Sequence, residues 1–341
     1  MVGFADITLA QRKLKSDFFE NINKIIDWNP IEKIIKKHYN KGFSVVGRPS
    51  IEGILLFKMC LLQTWYGLSD YEIEDQVNDR LSFSRFIGLS LDEKSPDHSV
   101  VSRFRTELTK KKAFEKLLNA INAQLVGHNI IVKQGLIVDA KVTDTPRKPK
   151  GKKEYEATED RNEENTEPKT ILKEKIKSNV DKEAKWVKKA GKLHFGYKQH
   201  TGTDENGLVL GIVTTPANES DIKHLQDVID KINPSKGTWV KADKGYKSEE
   251  NDKYLTKNKL RNHIMKKAQK NKKLTEREQV VNNLISKTRY KIERTFGSIK
   301  KWFKSNHARY VGIEKMHTQH LIEAIAYNLY RSPGIIMSKC Q

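Results

Sequence analysis

The sequence predicts an α/β protein in which a mixed β-sheet flanked by helices follows an all-helical N-terminal region. Two observations lead to this fold class. Residues 1 to about 130 place apolar side chains at helical spacing throughout. Beyond residue 135 the apolar residues form short runs and alternating patterns, and the predicted elements follow the order β-β-β-α-β-α-β-α. With 341 residues, the chain is long enough to bury a substantial core in one large domain or two.

The N-terminal region contains clear helix signals. The segment Ile51–Tyr66 is apolar on nearly all sides at helical spacing, which predicts a core helix. Ser69 and Glu72 have the spacing of a capping box that opens the next helix. Asp97 is the predicted N-cap of a further helix with a basic outer side. Short helices joined by short turns, the last of them basic, are typical of a helix-turn-helix unit.

The strands of the predicted sheet are short and bounded by turn residues. Gly135–Val142 is an apolar run with one acid in its middle, which indicates a buried strand. Leu193–Thr203 and Leu208–Thr215 flank the sequence Asp-Glu-Asn-Gly, which predicts a hairpin. A helix over Asp221–Ile232 and a short strand over Thr238–Ala242 follow. A helix, a strand and a final helix complete the predicted order.

The composition restricts the class of function. Lys and Arg number 64 against 43 Asp and Glu, which gives a net charge of +21, and the mean hydropathy is −0.69. These values argue against a membrane protein, an acidic scaffold and most enzymes of small metabolites, and they favour a polyanionic partner such as DNA. Cys60 and Cys340 are too few for a disulfide framework, and no signal peptide or spanning helix is expected. A reducing, DNA-containing compartment is therefore predicted.

Residues 146–192 are the most highly charged part of the chain, with 15 Lys or Arg and 10 Asp or Glu among 47 residues. This segment has too few large apolar side chains to offset the entropy of ordering it. It is predicted to be an exposed insertion, partly helical or disordered. Two interpretations stay open, a solvated linker and a basic arm that follows the DNA backbone. Trp186, surrounded by lysines, is a candidate for stacking on a base.

Three acids are candidate metal ligands. Asp139 lies inside a buried strand, where an unpaired carboxylate is costly, and Asp243 lies at the end of another strand, where ligands of α/β sheets gather. Glu293 lies in a basic helix, where Arg289, Glu293 and Lys300 border an apolar stripe. Each acid alone has a simpler interpretation, as a helix cap, a structural ion-pair partner or a surface i, i+4 pair.

Taken together, the three acids point to phosphoryl transfer. Mg²⁺ prefers oxygen ligands, and two such ions support displacement at a phosphodiester by activating the attacking oxygen and stabilising the leaving oxygen. Three carboxylates held on a sheet and a helix can bind such a pair, and a basic surface attracts the polyanionic substrate.

With these residues, the chain resembles the DDE transposases of insertion sequences, and among them the IS5 family within the IS4-like group. The resemblance covers about residues 25–332 outside the charged segment. Besides the acids, it rests on Asp27-Trp28, Gly47–Pro49, Leu61–Ser69, Phe83–Leu89, Pro96–Ser99, Arg103–Arg105, Val138–Ala140, Gly196–His200, Thr215–Asn218, Asp243–Tyr246, Glu293–Gly297 and Tyr327–Leu329.

The resemblance implies an RNase H-like catalytic fold with Asp139, Asp243 and Glu293 as catalytic ligands of Mg²⁺, for which Mn²⁺ can substitute. It implies double-stranded DNA as partner through the terminal inverted repeats, with water and then a freed 3′-hydroxyl attacking phosphodiesters. A homodimer that pairs two DNA ends, in the cytoplasm of a prokaryote and at its nucleoid when bound, is also expected. The candidate DNA contacts are Arg289, Lys300, Lys198, His200, Arg103 and Arg105. For His200, a structural hydrogen bond is an equal alternative.

The predicted division of the chain has three parts. Residues 1–130 are expected to bind DNA and dimerise, residues 131–145 and 193–335 to form the catalytic domain, and residues 146–192 to be the insertion.

Two positions depart from the family pattern. The family signature is Tyr-x2-Arg-x3-Glu-x6-Lys, and Ser286 takes the place of the tyrosine. Lys141 stands two residues after Asp139, where the family often has a small hydroxyl residue, and strand alternation puts both on one face. An ammonium there competes with a metal unless it reaches a phosphate or turns outward. Two alternatives therefore stay open: an inactive or regulatory DNA-binding relative, and a metal-dependent nuclease that does not transpose.

Overall fold

The computed structural model places an all-helical N-terminal region before a mixed sheet flanked by helices, which confirms the predicted fold class. It describes residues 18–39, 51–90, 92–150, 155–160, 169–174, 179–268 and 273–339. The N-terminal helices are α1 (Phe18–Ile25), α2 (Trp28–His38), α3 (Gly53–Tyr66), α4 (Asp70–Asp79), α5 (Leu81–Ile87), α6 (His98–Lys110) and α7 (Ala113–Gly127).

Strands dominate the next part of the chain, and two long helices close it. The strands are β1 (Gly135–Asp144), β2 (Tyr155–Asp160), β3 (Lys169–Glu174), β4 (Lys185–Lys189), β5 (Lys192–Thr203), β6 (Val209–Pro216), β7 (Trp239–Ala242) and β8 (Arg261–Ile264). The helices are α8 (Leu225–Ile232), α9 (Glu249–Lys257), α10 (Glu276–Trp302) and α11 (Ile313–Lys339).

Local sequence explains where the N-terminal helices begin and end. α3 is buried on most sides and stops at Gly67, whose φ of +65° is a left-handed conformation that glycine adopts without steric cost. Ser69 and Glu72 make both hydrogen bonds of a capping box at the start of α4. The Asp97 carboxylate accepts a hydrogen bond from the backbone of Ser99 at the start of α6. Both predicted caps are thus confirmed.

β1 is the central strand of a six-stranded sheet. It pairs antiparallel with β5 and parallel with β7, and β7 pairs parallel with β8. β4 and β6 both pair with the other edge of β5, one with each half of that strand. The strand order is β4-β5-β1-β7-β8, and β6 lies beside β4 on the same edge of β5. The antiparallel strands β6, β5 and β1, followed by β7 and β8 parallel to β1, form an RNase H-like mixed sheet.

Alternation along β1 sends its side chains to two different layers. Leu136 and Val138 pack in a hydrophobic cluster with α8. Asp139 and Lys141 point to the opposite face, where they contact side chains of α10 and α11. Two charged residues of β1, Asp139 and Lys141, therefore meet the two long C-terminal helices.

A hydrophobic core joins the N-terminal helices to the second half of the chain. The buried residues of α1 to α7 form one cluster with β6, with Ile299 and Phe303 at the end of α10, and with α11. The indole of Trp65 in α3 donates a hydrogen bond to the carbonyl of Ala326 in α11. The core thus crosses the division expected near residue 130, and the functional roles of the three predicted parts stay predictions.

The sequence predicts that the charged segment 146–192 is partly helical or disordered, whereas its described residues include the strands β2, β3 and β4 and no helix. β2 and β3 pair antiparallel with each other along their whole length. β4 pairs with the first residues of β5, and the hairpin turns at Ala190 and Gly191, which have φ angles of +48° and +78°. A partner strand satisfies the backbone of a segment that has few apolar side chains, and this pairing is not visible in local sequence.

Arg105 lies in the interior and not on the outer side of α6, which corrects the prediction that it contacts DNA. Its guanidinium donates hydrogen bonds to both carboxylate oxygens of Asp70, at 3.0 and 2.8 Å, and to Gln63 at 3.2 Å. The reason is the helical period, since Arg105 follows the buried Val101 by one turn and shares its face. Arg103 is exposed and remains a candidate for a DNA contact.

The variant Arg105→Ala is expected to destabilise the fold by about 3 kcal/mol, because it leaves the partly buried carboxylate of Asp70 without its counter-ion. Urea denaturation followed by circular dichroism measures this change. Arg103→Ala is the matched control on the same helix and should remain within about 0.5 kcal/mol of the wild type. Equal stability of the two variants would contradict the structural role of Arg105.

Candidate active site

Asp139 lies in the middle of β1, on the face of the sheet that α10 covers. Its Oδ2 accepts a hydrogen bond from Nη2 of Arg289 at 2.9 Å, and its Oδ1 accepts one from the backbone of Ala140. Burial raises the pKa of Asp139 above its ordinary value, although the Arg289 guanidinium acts in the opposite direction. A poorly solvated carboxylate of this kind needs a cation beside it.

The pairing of β1 with β7 positions Asp243 next to Asp139. The two strands are parallel, and Val138 pairs with Ala242. Asp139 directly follows Val138 and Asp243 directly follows Ala242, so the two acids lie side by side. The Asp243 carboxylate accepts a hydrogen bond from the backbone of Lys244 and caps the short turn that follows. The simple interpretation of Asp243 as a cap is therefore correct, and it does not remove the residue from the site.

One guanidinium contacts all three predicted acids. Nη2 of Arg289 lies 2.9 Å from Asp139 and 3.9 Å from Glu293, and its Nη1 lies 3.6 Å from Asp243. The Arg289 side chain is only 12% exposed, whereas that of Glu293, one turn further along α10, is 61% exposed. The fold thus brings together three acids that are far apart in the chain, with a buried cation at their centre.

The donor set of this cluster suits a divalent metal ion, because carboxylate oxygens are the ligands that Mg²⁺ prefers. The spacing is wider than an ion requires. Within the part of the chain that the structure describes, the group that places three ligand atoms within 4.8 Å of one another lies in the N-terminal helices and consists of Glu74, Asp97 and His98. In the predicted site, the guanidinium of Arg289 is the cation that balances the charge of the acids.

Lys141 turns away from the acids of the site. Its Nζ lies 3.7 Å from the buried carboxylate of Glu323 in α11 and 5.9 Å from the centre of the Phe296 ring. Burial lowers the pKa of Lys141. Sequence reasoning missed Glu323, although an acid flanked by buried apolar residues of one helix is the same signal that identified Asp139.

The other departure from the family pattern, Ser286, is exposed on α10.

Tyr246 is a further residue of the site, to which the sequence analysis assigned no role of its own. The side chain is buried, and among the described residues its hydroxyl has no hydrogen-bond partner. Burial, together with the carboxylates of Asp221, Asp139 and Asp243, raises the pKa of Tyr246 well above its ordinary value. A neutral hydroxyl therefore lies close to the acids.

Lys198 and His200 are buried, which speaks against the DNA contacts expected of them. Nζ of Lys198 donates a hydrogen bond to the carbonyl of Glu219 and pairs with Asp221 at 2.8 Å. Nε2 of His200 lies 3.0 Å from the hydroxyl of Thr215. The structural alternative for His200 is the one observed. Among the other candidate DNA contacts, Lys300 is exposed on α10.

Comparison with known proteins identifies the chain. The family described as "Transposase DDE domain" matches residues 131–329. The chain belongs to the DDE transposases. The family described as "Transposase domain (DUF772)" matches residues 7–107. The chain is 36% identical over 232 residues to the transposase for insertion sequence element IS1106 of Neisseria meningitidis serogroup B, a match that covers 67% of this chain and 76% of that protein.

Among solved structures, the chain is similar to the piggyBac transposase in a cryo-EM synaptic complex with hairpin DNA. The alignment covers 95% of this chain and 80% of that one, with a TM-score of 0.38 and 11% identity. The predicted enzyme class, an insertion-sequence DDE transposase, is confirmed by the family and the curated relative, and membership of the IS5 family is compatible with both. DDE transposases act on DNA and use divalent metal ions. Among the described helices, none is long and apolar enough to cross a membrane.

Removal of the guanidinium is expected to tighten metal binding to this transposase. Arg289→Ala removes the guanidinium that contacts all three carboxylates. If these carboxylates are the metal ligands that the sequence predicts, affinity for Mn²⁺ without DNA should rise by about tenfold, because the guanidinium no longer competes with the ion for their oxygens. Isothermal titration calorimetry measures it. Lys300→Ala removes an exposed cation about three turns further along the same helix and is expected to change the affinity little. Unchanged or weaker binding in Arg289→Ala would refute the competition.

The burial of His200 predicts an acid-sensitive fold. Burial lowers the pKa of His200 to about 3 from its ordinary value of 6.5, and the neighbouring His224 acts in the same direction. Because the unfolded chain takes up a proton that the folded chain does not, stability present above pH 6.5 is lost as the pH falls toward 3.

The variant His200→Gln should therefore lose less stability than the wild type, by about 2–3 kcal/mol, between about pH 7 and pH 4.5. Urea denaturation at both pH values measures this difference. His128→Gln, at an exposed histidine in the turn after α7, is the control and should behave as the wild type does. The same acid loss in the His200→Gln variant and the wild type would contradict the assignment.

Proposed function

We propose that this transposase binds the terminal inverted repeats of its insertion sequence and catalyses metal-dependent cleavage of DNA strands and their transfer to a target. The observation that carries this proposal is the arrangement of Asp139, Asp243 and Glu293 around the single guanidinium of Arg289. Three acids around one largely buried cation form a site of high negative charge that can accept a divalent cation.

Asp139, Asp243 and Glu293 would hold Mg²⁺, for which Mn²⁺ can substitute. Such ions, when bound, activate the attacking oxygen and stabilise the leaving oxygen of a phosphodiester. Asp139 and Asp243 lie on or next to paired strands, so that the backbone holds them at a constant separation. Glu293 is mostly exposed on its helix and is the member of the three that can reach inward by rotating its side chain.

Arg289 and Lys300 would hold phosphates beside the reacting bond. The guanidinium offers two parallel N–H groups that match a phosphate as well as they match a carboxylate. With the acids holding metal ions, Arg289 would be available for such a contact without leaving the site. Arg103 on α6 is exposed and would contribute a backbone contact from the N-terminal helices. The net charge of +21 supports a DNA substrate for the whole surface.

The remaining steps follow from the task of moving a DNA segment. Water would attack first and free a 3′-hydroxyl, which would then attack the target strand. Two element ends must be held together for this, so a homodimer is the proposed assembly. The proposed place of action is the cytoplasm of a bacterium, with the protein at the nucleoid when bound. Residues 1–130 would recognise the ends and contribute to the dimer.

The pairing of Lys141 weakens the alternative of an inactive or regulatory relative. That alternative rested on an ammonium placed beside Asp139 and on the exchange at Ser286. The ammonium of Lys141 lies between β1 and α11, 3.7 Å from the carboxylate of Glu323, and its charge is directed away from the acids of the site. It therefore adds no free positive charge to the acids, and this supports an active enzyme.

The variant Asp243→Asn tests the proposed chemistry. It should reduce nicking of a labelled duplex that carries the inverted repeats by at least about a hundredfold, because metal-assisted charge stabilisation supplies several kcal/mol. Gel-shift assays should show duplex binding close to that of the wild type. Asp227→Asn, at an exposed acid of α8, is the matched control and should cleave normally.

Normal cleavage by Asp243→Asn would refute the assignment of this acid. A second assay with a target plasmid separates two activities that share this chemistry. Nicking of the element ends without joining to the plasmid would identify a nuclease instead of a transposing enzyme.

A further inference from the structure

A pocket with an aromatic wall lies beside the end of β1, and no step proposed above uses it. The cavity has a volume of about 330 Å³ and lies between the end of β1 and the hairpin of β4 and β5. Trp186, Leu193 and Phe195 form its apolar side, and Lys148 also lines it. The cavity is large enough for one flat aromatic ring system.

The wall of this pocket is an aromatic platform with an open side. Trp186 and Phe195 are cross-strand partners, and their ring centroids are 5.0 Å apart. Phe195 is buried, but Trp186 is 44% exposed and Leu193 is 68% exposed. Because apolar surface in water is unfavourable, two such side chains beside one cavity indicate a surface that a partner covers.

The charge around the platform indicates what that partner is. Residues 185–203 contain five lysines and no acidic residue. Four of the lysines are exposed, and these are Lys185, Lys188, Lys189 and Lys192. Asp144 is the acid that lines the cavity, and the imidazole of His194 pairs with it at 3.0 Å. A ligand with both a flat apolar ring and negative charge matches this surface, and a nucleotide has both.

The hairpin lies close to the candidate active site. Nζ of Lys189, the last residue of β4, is 3.4 Å from the carbonyl of Ala140, and Ala140 directly follows Asp139. A DNA strand that passes Asp139 therefore has the lysines of the hairpin within reach of its phosphates.

We propose that this pocket binds an unpaired base of the DNA strand next to the reaction site. The base stacks on the indole of Trp186, and Lys148 and Lys188 contact the phosphates on either side of it. A base in a duplex is stacked on its neighbours and paired, so it cannot enter, and the pocket therefore selects single-stranded or opened DNA. The inference rests on the proposed function, because that proposal supplies DNA as the ligand.

The test compares two DNA molecules of the same sequence, a fully paired duplex and one with a gap of a few unpaired nucleotides. Fluorescence anisotropy with the full chain, in EDTA to prevent cleavage, measures both affinities. The wild type should bind the gapped duplex about tenfold more tightly, as expected for stacking of a single base. Trp186→Ala should lose this preference and keep its affinity for the paired duplex, whereas Trp186→Phe should retain most of it.

Trp302→Ala is the matched control, because Trp302 is 38% exposed at the end of α10 and does not line the pocket. It should keep the preference for the gapped duplex. If Trp186→Ala fails to fold, Leu193→Ser tests the same pocket at a more exposed position and should weaken the preference about threefold.

Two results would overturn the inference: no preference in the wild type, or an unchanged preference in Trp186→Ala. If the wild type lacks the preference but still cleaves the inverted-repeat duplex in Mg²⁺, the pocket is wrongly assigned and the proposed function stands. If neither DNA molecule is bound, both proposals are refuted.

Discussion

The charge of Asp139 is the constraint on which the architecture of the site depends. A carboxylate in the middle of a central strand loses most of its hydration, and the fold tolerates it only with a cation beside it. Arg289 supplies that cation. For this contact, α10 must cross the sheet with the face that carries Arg289 turned toward β1. Ile292 and Ile299 are buried on the same helix. Their packing therefore favours the same orientation of α10 as the ion pair does.

Similar pairs join other elements of the molecule. Lys141 and Glu323 connect the central strand to the C-terminal helix, and Arg105 and Asp70 connect two N-terminal helices. Each pair consists of residues that would be costly to bury singly and that tie distant segments when buried together. A scaffold held in this way keeps the backbone positions of the acids constant, which the proposed cleavage at a defined phosphodiester requires.

Much of the fold was predictable because its signals are local. Helix caps, the glycine-containing hairpin turn and apolar periodicity identified the element order, since each depends on a few neighbouring residues. The strands of the charged segment were missed because their stability comes from a partner strand. The burial of Lys198 and His200 was missed because alternation places residues on a face but does not say which face meets a helix or another chain segment.

From the order of the amino acids alone, one can identify the three acids, the cations near Glu293 and the basic character of the surface. The contact of Arg289 with all three acids, and the pairing of Lys141 with Glu323, are visible only in the folded chain. The physical reason is that these contacts depend on strand register and on the rotation of packed helices. Both result from the packing of segments that are far apart in the chain, and no short stretch of sequence encodes them.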